Sequence, residues 1–519
     1  MSASEAPGGL AGTVIRGIGF AGGGFVITRL LTLVTYIVLA RLITPEELGE
    51  FAAGSILVGV GVLLSGSGMA AALIHRDDRI EDAAATAVVA TALAGALIGL
   101  LSVALAPLLG VLFDSDTVAA VTVALAGVLF LNSALVVPDA LLQRRFSFVR
   151  RLVIEPAAAI AFGIAAIVTT SNGLGVWGLV IGLYSSAVTH FVLSWVLAQW
   201  RPRLGLASIA MWKELIAYGR HVLAGSAVRR LGDRIPILAA GAFVSTAALG
   251  QYQYANRIAA TAFALLVSGV SYVVFPAFAR ISRDARRFEA AFLRALRWVV
   301  LLAMPIGMLL LALGEPLAVL VFGERWREAG EATRALAAFV PAMMVAQMIG
   351  EGFKATGRPA ERTKTNLVGV GAGVVAMAVL IPPFGLLGVA LGVSIDAIAA
   401  AGVAMRRARR SIGVRLRPML EAIALPLGAA LPALAVVLPL DQLLVDAGSR
   451  GTAIGLLMLA AEGLLAVAIY AGGLRLLVPD LLDELRGIIQ SGRRGTERPP
   501  PSAEEEEEAD LVDAQTDLA

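Results

Sequence analysis

The chain has 519 residues, of which 58% are hydrophobic and 16% are charged, and its mean hydropathy is +0.82. Soluble domains carry about 25% charged residues, so this composition excludes a soluble globular protein and indicates a polytopic membrane protein. The absence of cysteine excludes disulfides and thiolate metal sites, and the three scattered histidines form no metal motif, so we expect neither a metal nor a cofactor.

Fourteen segments are long and apolar enough to cross a bilayer, which takes about 20 mainly apolar residues. They predict an all-α fold. Residues 1–17 lack the features of a signal peptide, so we expect the first segment to be an uncleaved membrane helix. The predicted segments are 18–40, 48–74, 83–112, 117–142, 152–170, 175–198, 219–244, 249–279, 289–313, 331–353, 364–382, 385–405, 418–439 and 451–474.

Lysine and arginine are concentrated in alternate loops, whereas the intervening loops hold only Arg41, Arg325, Arg327 and Arg450. Basic loops stay on the cytoplasmic side of a membrane. This pattern predicts a multi-pass protein of the plasma membrane with both termini in the cytoplasm. The basic loops contain Arg76 and Arg79, Arg144 to Arg151, Arg201 to Lys213, Arg280 to Arg287, Lys354 to Lys364, and the RRARR run at 406–410.

Two parts of the chain resemble each other when residue 29 is placed over residue 230, an offset of 201 residues. Both parts then have an arginine inside an apolar helix, a short turn, and an LGx(F/Y) start to the next helix. The repeat predicts two similar six-helix lobes, related by an axis along the membrane normal, around a central cavity. The matched residues are Thr44, Leu48, Gly49 and Phe51 with Ser245, Leu249, Gly250 and Tyr252.

The repeat and the loops together predict the domain organisation. Helices 13 and 14 lie outside the repeat, and the tail carries nine acids and one arginine from residue 496 onward, which is typical of a disordered segment. The predicted parts are a cytoplasmic N-terminal segment (1–17), an N-lobe (18–200), a linker with an interfacial helix (201–218), a C-lobe (219–410), helices 13 and 14 (411–475) and the acidic tail (476–519).

Five arginines lie in segments that otherwise read as membrane helix: Arg29, Arg229, Arg230, Arg234 and Arg257. An arginine at the bilayer centre costs about 2.5–3.5 kcal/mol on insertion scales, so these side chains are expected to face a packed interior or a wet cavity. The guanidinium fork suits phosphate oxygens, and the arginines therefore predict a cavity that binds an anionic group. The alternative is internal pairing with buried acids or backbone carbonyls.

Few acids are available for that pairing. Asp233 follows Arg229 by four residues, so the two side chains are expected to pair on one helix face. Arg230 and Arg234 have the same spacing and are expected to share a face. Asp396 and Glu462 lie deeper in predicted helices, where an acid either binds a coupling proton or sodium ion or pairs with another helix.

Several stretches resemble the polysaccharide-transporter family of the multidrug, oligosaccharidyl-lipid and polysaccharide exporter superfamily, which includes the O-antigen flippases. The resemblance runs in order from about residue 15 to 475. The stretches are VLARLITPEELGEFA (38–52), GMAAALIHRDD (68–78), LGQYQYANRIA (249–259), VVFPAFARISRD (273–284), PLAVLVFGERWREAG (316–330) and FKATGRP (353–359).

The resemblance implies 12–14 helices in two lobes around a V-shaped cavity. It also implies alternating access and the movement of polyprenyl-diphosphate-linked oligosaccharides from the cytoplasmic to the outer leaflet. Relatives hold the diphosphate with arginines on the first helix of each lobe, and Arg29 with Arg230 and Arg234 match that placement. Partners would be the lipid-linked glycan, membrane lipid, and a polymerase or glycosyltransferases of the same pathway.

Two other functions remain as alternatives. A drug or cation antiporter of the same superfamily would be expected to have acids in its cavity, where this chain has arginines. A membrane glycosyltransferase or polymerase needs catalytic acids at the membrane surface, and only Glu324, Glu328 and Glu331 in the longest outer loop fit that requirement. No motif indicates nucleic-acid binding or an enzyme.

Overall fold

The computed structural model describes residues 28–144 and 148–478, without the side chains of 63, 65–67, 148–152, 220–229 and 268–273. The predicted segment 1–17, nearly all of the tail 476–519 and the side chain of Arg229 therefore lie outside the described residues. Within those ranges every regular element is a helix, so the predicted all-α class is confirmed for this part of the chain.

The N-terminal half contains eight helices in its described part. The first extends over 28–42, and α6 and α7 are separated by the undescribed residues 145–147. The helices are α1 (28–42), α2 (Pro45–Gly54), α3 (Ile56–His75), α4 (Ile80–Leu112), α5 (Asp116–Ala134), α6 (Val136–Arg144), α7 (Phe148–Thr169) and α8 (Val176–Ala198).

The C-terminal half and the two final helices follow after residue 208. Short turns join most of them, and α15 and α16 are separated by one residue, Gly385. The helices are α9 (Ile209–Gly232), α10 (Ile235–Phe243), α11 (Thr246–Ile281), α12 (Ala285–Phe322), α13 (Arg327–Ala335), α14 (Phe339–Ala355), α15 (Pro359–Phe384), α16 (Leu386–Ser411), α17 (Leu416–Leu440) and α18 (Thr452–Leu477).

Nine helical spans of the described residues are long and apolar enough to cross a membrane. The number rises to ten if α13 and α14, which are bent by 45°, form one span. The expected count of fourteen stays a prediction, because the other segments lie on short helices or on helices with undescribed residues. Large apolar side chains are exposed along the helices, as lipid-facing surfaces require, with Val111 81% and Leu464 73% exposed.

Several predicted segments contain more than one helix, and two of these breaks lie near the candidate site. The segment 48–74 divides at Ser55, whose hydroxyl donates to the carbonyl oxygen of Ala52 at 2.9 Å. The segment 219–244 divides between α9 and α10. Gly232 ends α9 and Pro236 lies in the first turn of α10, where a missing N–H costs nothing. Both breaks lie inside segments that were predicted to span the membrane as single helices.

The linker between the halves also differs from the prediction. A single turn at Leu204–Leu206 is followed by α9, which continues without a break from Ile209 to Gly232. The expected boundary at residue 218 therefore falls inside a helix, and no separate interfacial helix precedes it. Apolar packing explains the continuity, because Met211 and Leu215 are buried against the N-terminal half.

Candidate functional site

The helices α2 and α11 begin in the same way, at the positions that the internal repeat aligns. The hydroxyl of Thr44 accepts a hydrogen bond from the Glu47 N–H at 3.2 Å, and the Glu47 carboxylate accepts one from the Thr44 N–H at 2.8 Å. The hydroxyl of Ser245 accepts from the Ala248 N–H at 3.0 Å. Such caps satisfy N–H groups that a helix start leaves unpaired, so both turns direct a helix back into the membrane.

The two halves touch where these helices cross, at Gly49 of α2 and Gly250 of α11. A Cβ atom at Gly49 would lie 2.6 Å from the carbonyl carbon of Thr246, and one at Gly250 would lie 2.7 Å from that of Pro45. Only glycine permits this distance between backbones. The repeated LGx(F/Y) motif therefore corresponds to a close contact between the halves near the face of the bundle that carries the short loops.

The turn 323–326 closes the same face. The indole N–H of Trp326, which is fully buried, donates to the Ala40 carbonyl at 2.8 Å. Arg325 donates to the Ile43 carbonyl at 3.1 Å, and Arg41 donates to the Leu320 carbonyl at 2.9 Å. We call α2, the first turn of α11 and the turn 323–326 the short-loop gate.

Gln251 ties the gate together from its interior. Its amide donates to the Arg325 carbonyl at 2.7 Å and accepts from the Ala329 N–H at 3.0 Å. The side chain is 5% exposed, so these bonds satisfy polar groups that water does not reach. The gate is therefore closed by specific hydrogen bonds as well as by packing.

Replacing Trp326 with phenylalanine should destabilise the gate by about 1–3 kcal/mol, because the buried Ala40 carbonyl loses its donor. Thermal unfolding of the purified protein in detergent measures the effect. Trp177→Phe is the matched control, since Trp177 is 41% exposed. Equal changes in Tm for the two variants would contradict the proposed role of the indole N–H.

A small cavity lies beneath the gate, between α1 and α11. The Tyr254 hydroxyl donates to the Tyr36 carbonyl at 2.8 Å, and the two rings meet edge to face at 6.3 Å. The Arg257 guanidinium lies over the Tyr36 ring, with its central carbon 3.2 Å from the ring centroid. A cation on an aromatic face is stabilised by about 0.5–2 kcal/mol, which holds Arg257 at the cavity wall.

Among the described residues, the lining of this cavity contains polar groups and no acid. Its volume is about 140 Å³, which is below the roughly 300–1,000 Å³ of typical ligand sites. A large substrate therefore enters only if the halves separate. The lining residues are Tyr36, Leu48, Phe51, Ala52, Ser55, Gln253, Tyr254 and Arg257.

Arg234 lies one helical turn away from this cavity along α3. Its guanidinium packs on Gly59, where a Cβ atom would lie 3.0 Å from Nε and still closer to the other guanidinium atoms. Gly59 follows Ser55 by four residues, so Arg234 and Arg257 lie along the same stretch of α2 and α3. The break before α10 places Arg234, because this residue caps α10.

Two of the other predicted arginines lie on exposed helix surfaces. Arg29 and Arg230 are exposed on α1 and α9, and Arg29 lies two turns before Tyr36 on the same helix. Arg230 and Arg234 do not share one helix face as expected, because α9 ends at Gly232 between them. The expected pairing of Arg229 with Asp233 stays a prediction, because the side chain of Arg229 lies outside the described residues.

The predicted coupling acids lie apart from one another. Asp233 is exposed at the break between α9 and α10. Asp396 is half-buried in α16, packed on Gly373 of α15, where a Cβ atom would lie 2.9 Å from its own. Glu462 is 3% exposed in α18, and its carboxylate oxygens have no hydrogen-bond partner among the described residues. Neither Asp396 nor Glu462 lines the cavity beneath the gate.

A second glycine contact joins the halves nearer the face that carries the basic loops, the basic face. A Cβ atom at Gly68 of α3 would lie 2.9 Å from the carbonyl oxygen of Gly219 in α9, and the reverse contact is equally close. Beside it, Arg76 pairs with Glu214 at 2.9 Å, and this hydrogen bond raises the pKa of Arg76. The halves are thus in contact near both faces.

Several functional residues were not predicted from the sequence. Gly59 and Gln251 gave no local signal, because their roles depend on residues far away in the chain. Arg41 and Arg325 did give a local signal, since they are among the few basic residues in the intervening loops. They bind carbonyl groups across the gate, which explains two of the few basic residues on that face.

Comparison with known protein families shows to which family this chain belongs. Residues 38–331, more than half of its length, match the family described as "Polysaccharide biosynthesis protein". The chain belongs to this family. The matched range begins in α1 and ends in α13, so it contains the gate and, apart from Tyr36, the lining of the cavity of this polysaccharide biosynthesis protein.

Individual relatives agree with that assignment. The chain is 27% identical over 325 residues to the succinoglycan biosynthesis transport protein ExoT of Rhizobium meliloti, covering 61% of this chain and 64% of ExoT. It is 25% identical over 308 residues to the lipopolysaccharide biosynthesis protein WzxC of Escherichia coli, covering 57% and 60%. The matches thus span less than two thirds of the length of these relatives.

Solved structures share the fold of this family member. The lipid II flippase MurJ, in an inward closed conformation, superposes with a TM-score of 0.73 at 14% identity, covering 89% of this chain and 99% of MurJ. An inward-facing MATE-family multidrug transporter gives 0.60 at 18% identity, covering 74% and 94%. The predicted polytopic membrane fold is therefore confirmed.

Proposed function

We propose that this protein is a flippase that moves a polyprenyl-diphosphate-linked oligosaccharide from the cytoplasmic to the outer leaflet. The basic face is then the cytoplasmic face, both termini lie on that side, and the plasma membrane is the site of action. The product serves the export of a cell-surface polysaccharide. No step of this function makes or breaks a covalent bond.

One observation carries the proposal: the described lining of the cavity beneath the gate has Arg257 and neutral polar groups, and no acid. An uncompensated arginine at membrane depth attracts an anion, and its donors match phosphate oxygens. Arg234 extends the donor surface by one turn along α3. The family and the names of the relatives, which concern polysaccharide biosynthesis and transport, support a lipid-linked glycan as the anion.

The contacts between the halves support alternating access as the mechanism. With the Gly68–Gly219 contact open, the diphosphate enters from the basic face and reaches Arg29, Arg230 and Arg234 before Arg257. With the Gly49–Gly250 contact open, the same group leaves toward the opposite face. The polyprenyl chain remains in lipid throughout, so only polar groups cross the interior.

A coupling ion would supply the free energy for a directed cycle. We propose a proton or sodium ion, with Asp233, Asp396 and Glu462 as the candidate acids. The glycosyltransferases and the polymerase of the same pathway are the proposed partners, because they make and consume a lipid-linked glycan. The protein needs no cofactor for this function.

The double variant Arg29→Ala and Arg230→Ala tests the flippase proposal. Transport of a polyprenyl-diphosphate-linked glycan into the lumenal leaflet of proteoliposomes should fall at least tenfold, since each charge-assisted bond contributes about 1.5–3 kcal/mol. Arg406→Ala with Arg409→Ala removes the same charge from the basic face and should retain transport. Full transport activity of the Arg29→Ala and Arg230→Ala double variant would refute the proposal that these arginines bind the diphosphate.

The cavity also separates this proposal from its alternatives. A drug or cation antiporter is favoured only by the shared fold of the MATE transporter. The described lining of the cavity contains no acid, which disfavours a cationic substrate. Uptake of an organic cation such as ethidium into the proteoliposomes, unaffected by Arg257→Gln, would favour the antiporter. A glycosyltransferase is disfavoured because Glu324 is engaged by Arg327 at 2.6 Å.

A further inference from the structure

A polar cavity of about 940 Å³ lies at the end of α8, at the outer edge of the N-terminal half. Its residues do not overlap with those of the cavity beneath the gate, and the flippase mechanism does not use them. Its lining residues are Glu81, Trp195, Val196, Gln199, Trp200, Arg201, Pro202 and Arg203.

The backbone turns sharply where this cavity forms. Gln199 ends α8 with a φ of +48°, a left-handed conformation that is uncommon for residues other than glycine. The turn brings the Trp200 ring onto the Trp195 ring, with centroids 5.9 Å apart and planes 24° from parallel. The stacked pair forms one wall, and Arg201, Pro202 and Arg203 follow directly along it.

The depth of the cavity in the membrane follows from α8. Val192 and Val196 on this helix are 47% and 63% exposed, as expected for a surface in contact with lipid chains. The cavity begins where that apolar surface ends. Tryptophan pairs are typical of the headgroup region, so the cavity opens at the level of lipid headgroups on the basic face.

The charge of the cavity is positive. Arg203 pairs with Glu81 at 3.1 Å, and both side chains are largely exposed. Arg201 has no ion pair with another described residue, so the cavity carries one uncompensated positive charge. Guanidinium groups bind phosphate through parallel hydrogen bonds, and basic pockets on the cytoplasmic side of membrane proteins bind anionic headgroups.

We propose that this cavity binds the headgroup of an anionic bilayer phospholipid. Arg201 and Arg203 hold the phosphate, and the tryptophan pair supports the glycerol region. The lipid then contacts the start of the linker between the halves, whose Ser208 N–H donates to the Thr86 hydroxyl of α4 at 3.1 Å. Anionic lipid thus anchors the point about which α9 and the C-terminal half move.

Native mass spectrometry of the full chain tests this site without any transported substrate. Dioleoyl-phosphatidylglycerol and dioleoyl-phosphatidylcholine are titrated separately. We expect the protein to retain the anionic phosphatidylglycerol more tightly than the phosphatidylcholine. Arg201→Gln with Arg203→Gln should weaken that retention about 25-fold, at about fivefold for each arginine. Arg409→Gln with Arg410→Gln, which removes two exposed arginines at the end of α16, should change it less than twofold.

Glu81→Gln is expected to strengthen lipid binding, so this test does not depend on a loss of binding. Removing the carboxylate frees Arg203, so phosphatidylglycerol should be retained about two- to fivefold more tightly than by the wild-type chain. If the Arg201/Arg203 and Arg409/Arg410 double variants lose phosphatidylglycerol retention equally, the proposed site is overturned. Unchanged retention by Glu81→Gln would overturn it as well. Displacement of the lipid by millimolar inorganic phosphate would indicate a site for free phosphate and would also overturn the assignment.

Discussion

Replacing Gly250 with valine should hold the short-loop gate open. The new side chain would meet the Pro45 carbonyl of α2, a backbone group that cannot move aside without shifting the helix. Overpacking costs about 1–3 kcal/mol, and contact with backbone lies at the upper end of that range. The closed state should therefore lose about 30- to 150-fold in population relative to the open state.

The absence of native cysteine makes the effect directly measurable. Ser55→Cys places a single thiol in the wall of the cavity beneath the gate, and a membrane-impermeant maleimide added on the short-loop side reports access to it. Labelling should be slow in the otherwise native chain and faster by at least tenfold when Gly250→Val is added. Transport should fall, because the cycle requires the closed state.

Two further glycines serve as controls for this experiment. Gly371 of α15 has nothing within 4 Å of an added Cβ atom, so Gly371→Val should leave labelling unchanged. Gly219→Val acts at the contact nearer the basic face and should increase labelling from that side instead. Equal labelling rates in the Gly250→Val and Gly371→Val variants would contradict the gate assignment.

Replacing Arg257 with glutamine should lower the affinity for a polyprenyl-diphosphate lipid about 10- to 150-fold. Charge-assisted hydrogen bonds contribute about 1.5–3 kcal/mol each, and glutamine retains polarity without the charge. The variant should fold normally, because the Arg257 guanidinium rests on the Tyr36 ring and forms no buried ion pair among the described residues. Calorimetric titration with farnesyl diphosphate, as a soluble probe of the headgroup, measures the change.

Lysine at the same position separates charge from geometry. Arg257→Lys keeps the positive charge and loses the fork that matches two phosphate oxygens, so its affinity should lie between those of glutamine and arginine. Arg450→Gln is the matched control, since Arg450 binds the Val445 carbonyl at 3.1 Å at the far end of α17. Wild-type affinity in Arg257→Gln would show that the cavity is not the diphosphate site.

Local patterns predicted the positions of the membrane helices but not their continuity. The apolar segment 219–244 reads as one helix, because glycine and proline are common inside membrane helices. In the structure Gly232 and Pro236 separate α9 from α10, and the break sets Arg234 against Gly59. Whether such residues break a helix depends on how the chain packs around them, which the segment itself does not encode.

In the candidate site, too, the sequence predicted some features and the packing of the chain decided others. The high cost of arginine in a membrane predicts that five arginines face the interior, and Arg234 and Arg257 are two of these five. The partners of these residues come from distant parts of the chain. Tyr36 lies more than 200 residues before Arg257, and no local pattern indicates that the two make contact.

The sequence by itself determined the class of protein, the sidedness that we propose, and the repeat that pairs Gly49 with Gly250. Composition and charge distribution suffice for these conclusions, because solvent and lipid act on each segment separately. Only the tertiary structure decided that the paired glycines touch and that Arg257 rests on Tyr36 beneath them. Contacts between halves depend on two surfaces fitting together, and that fit is a property of the folded chain as a whole.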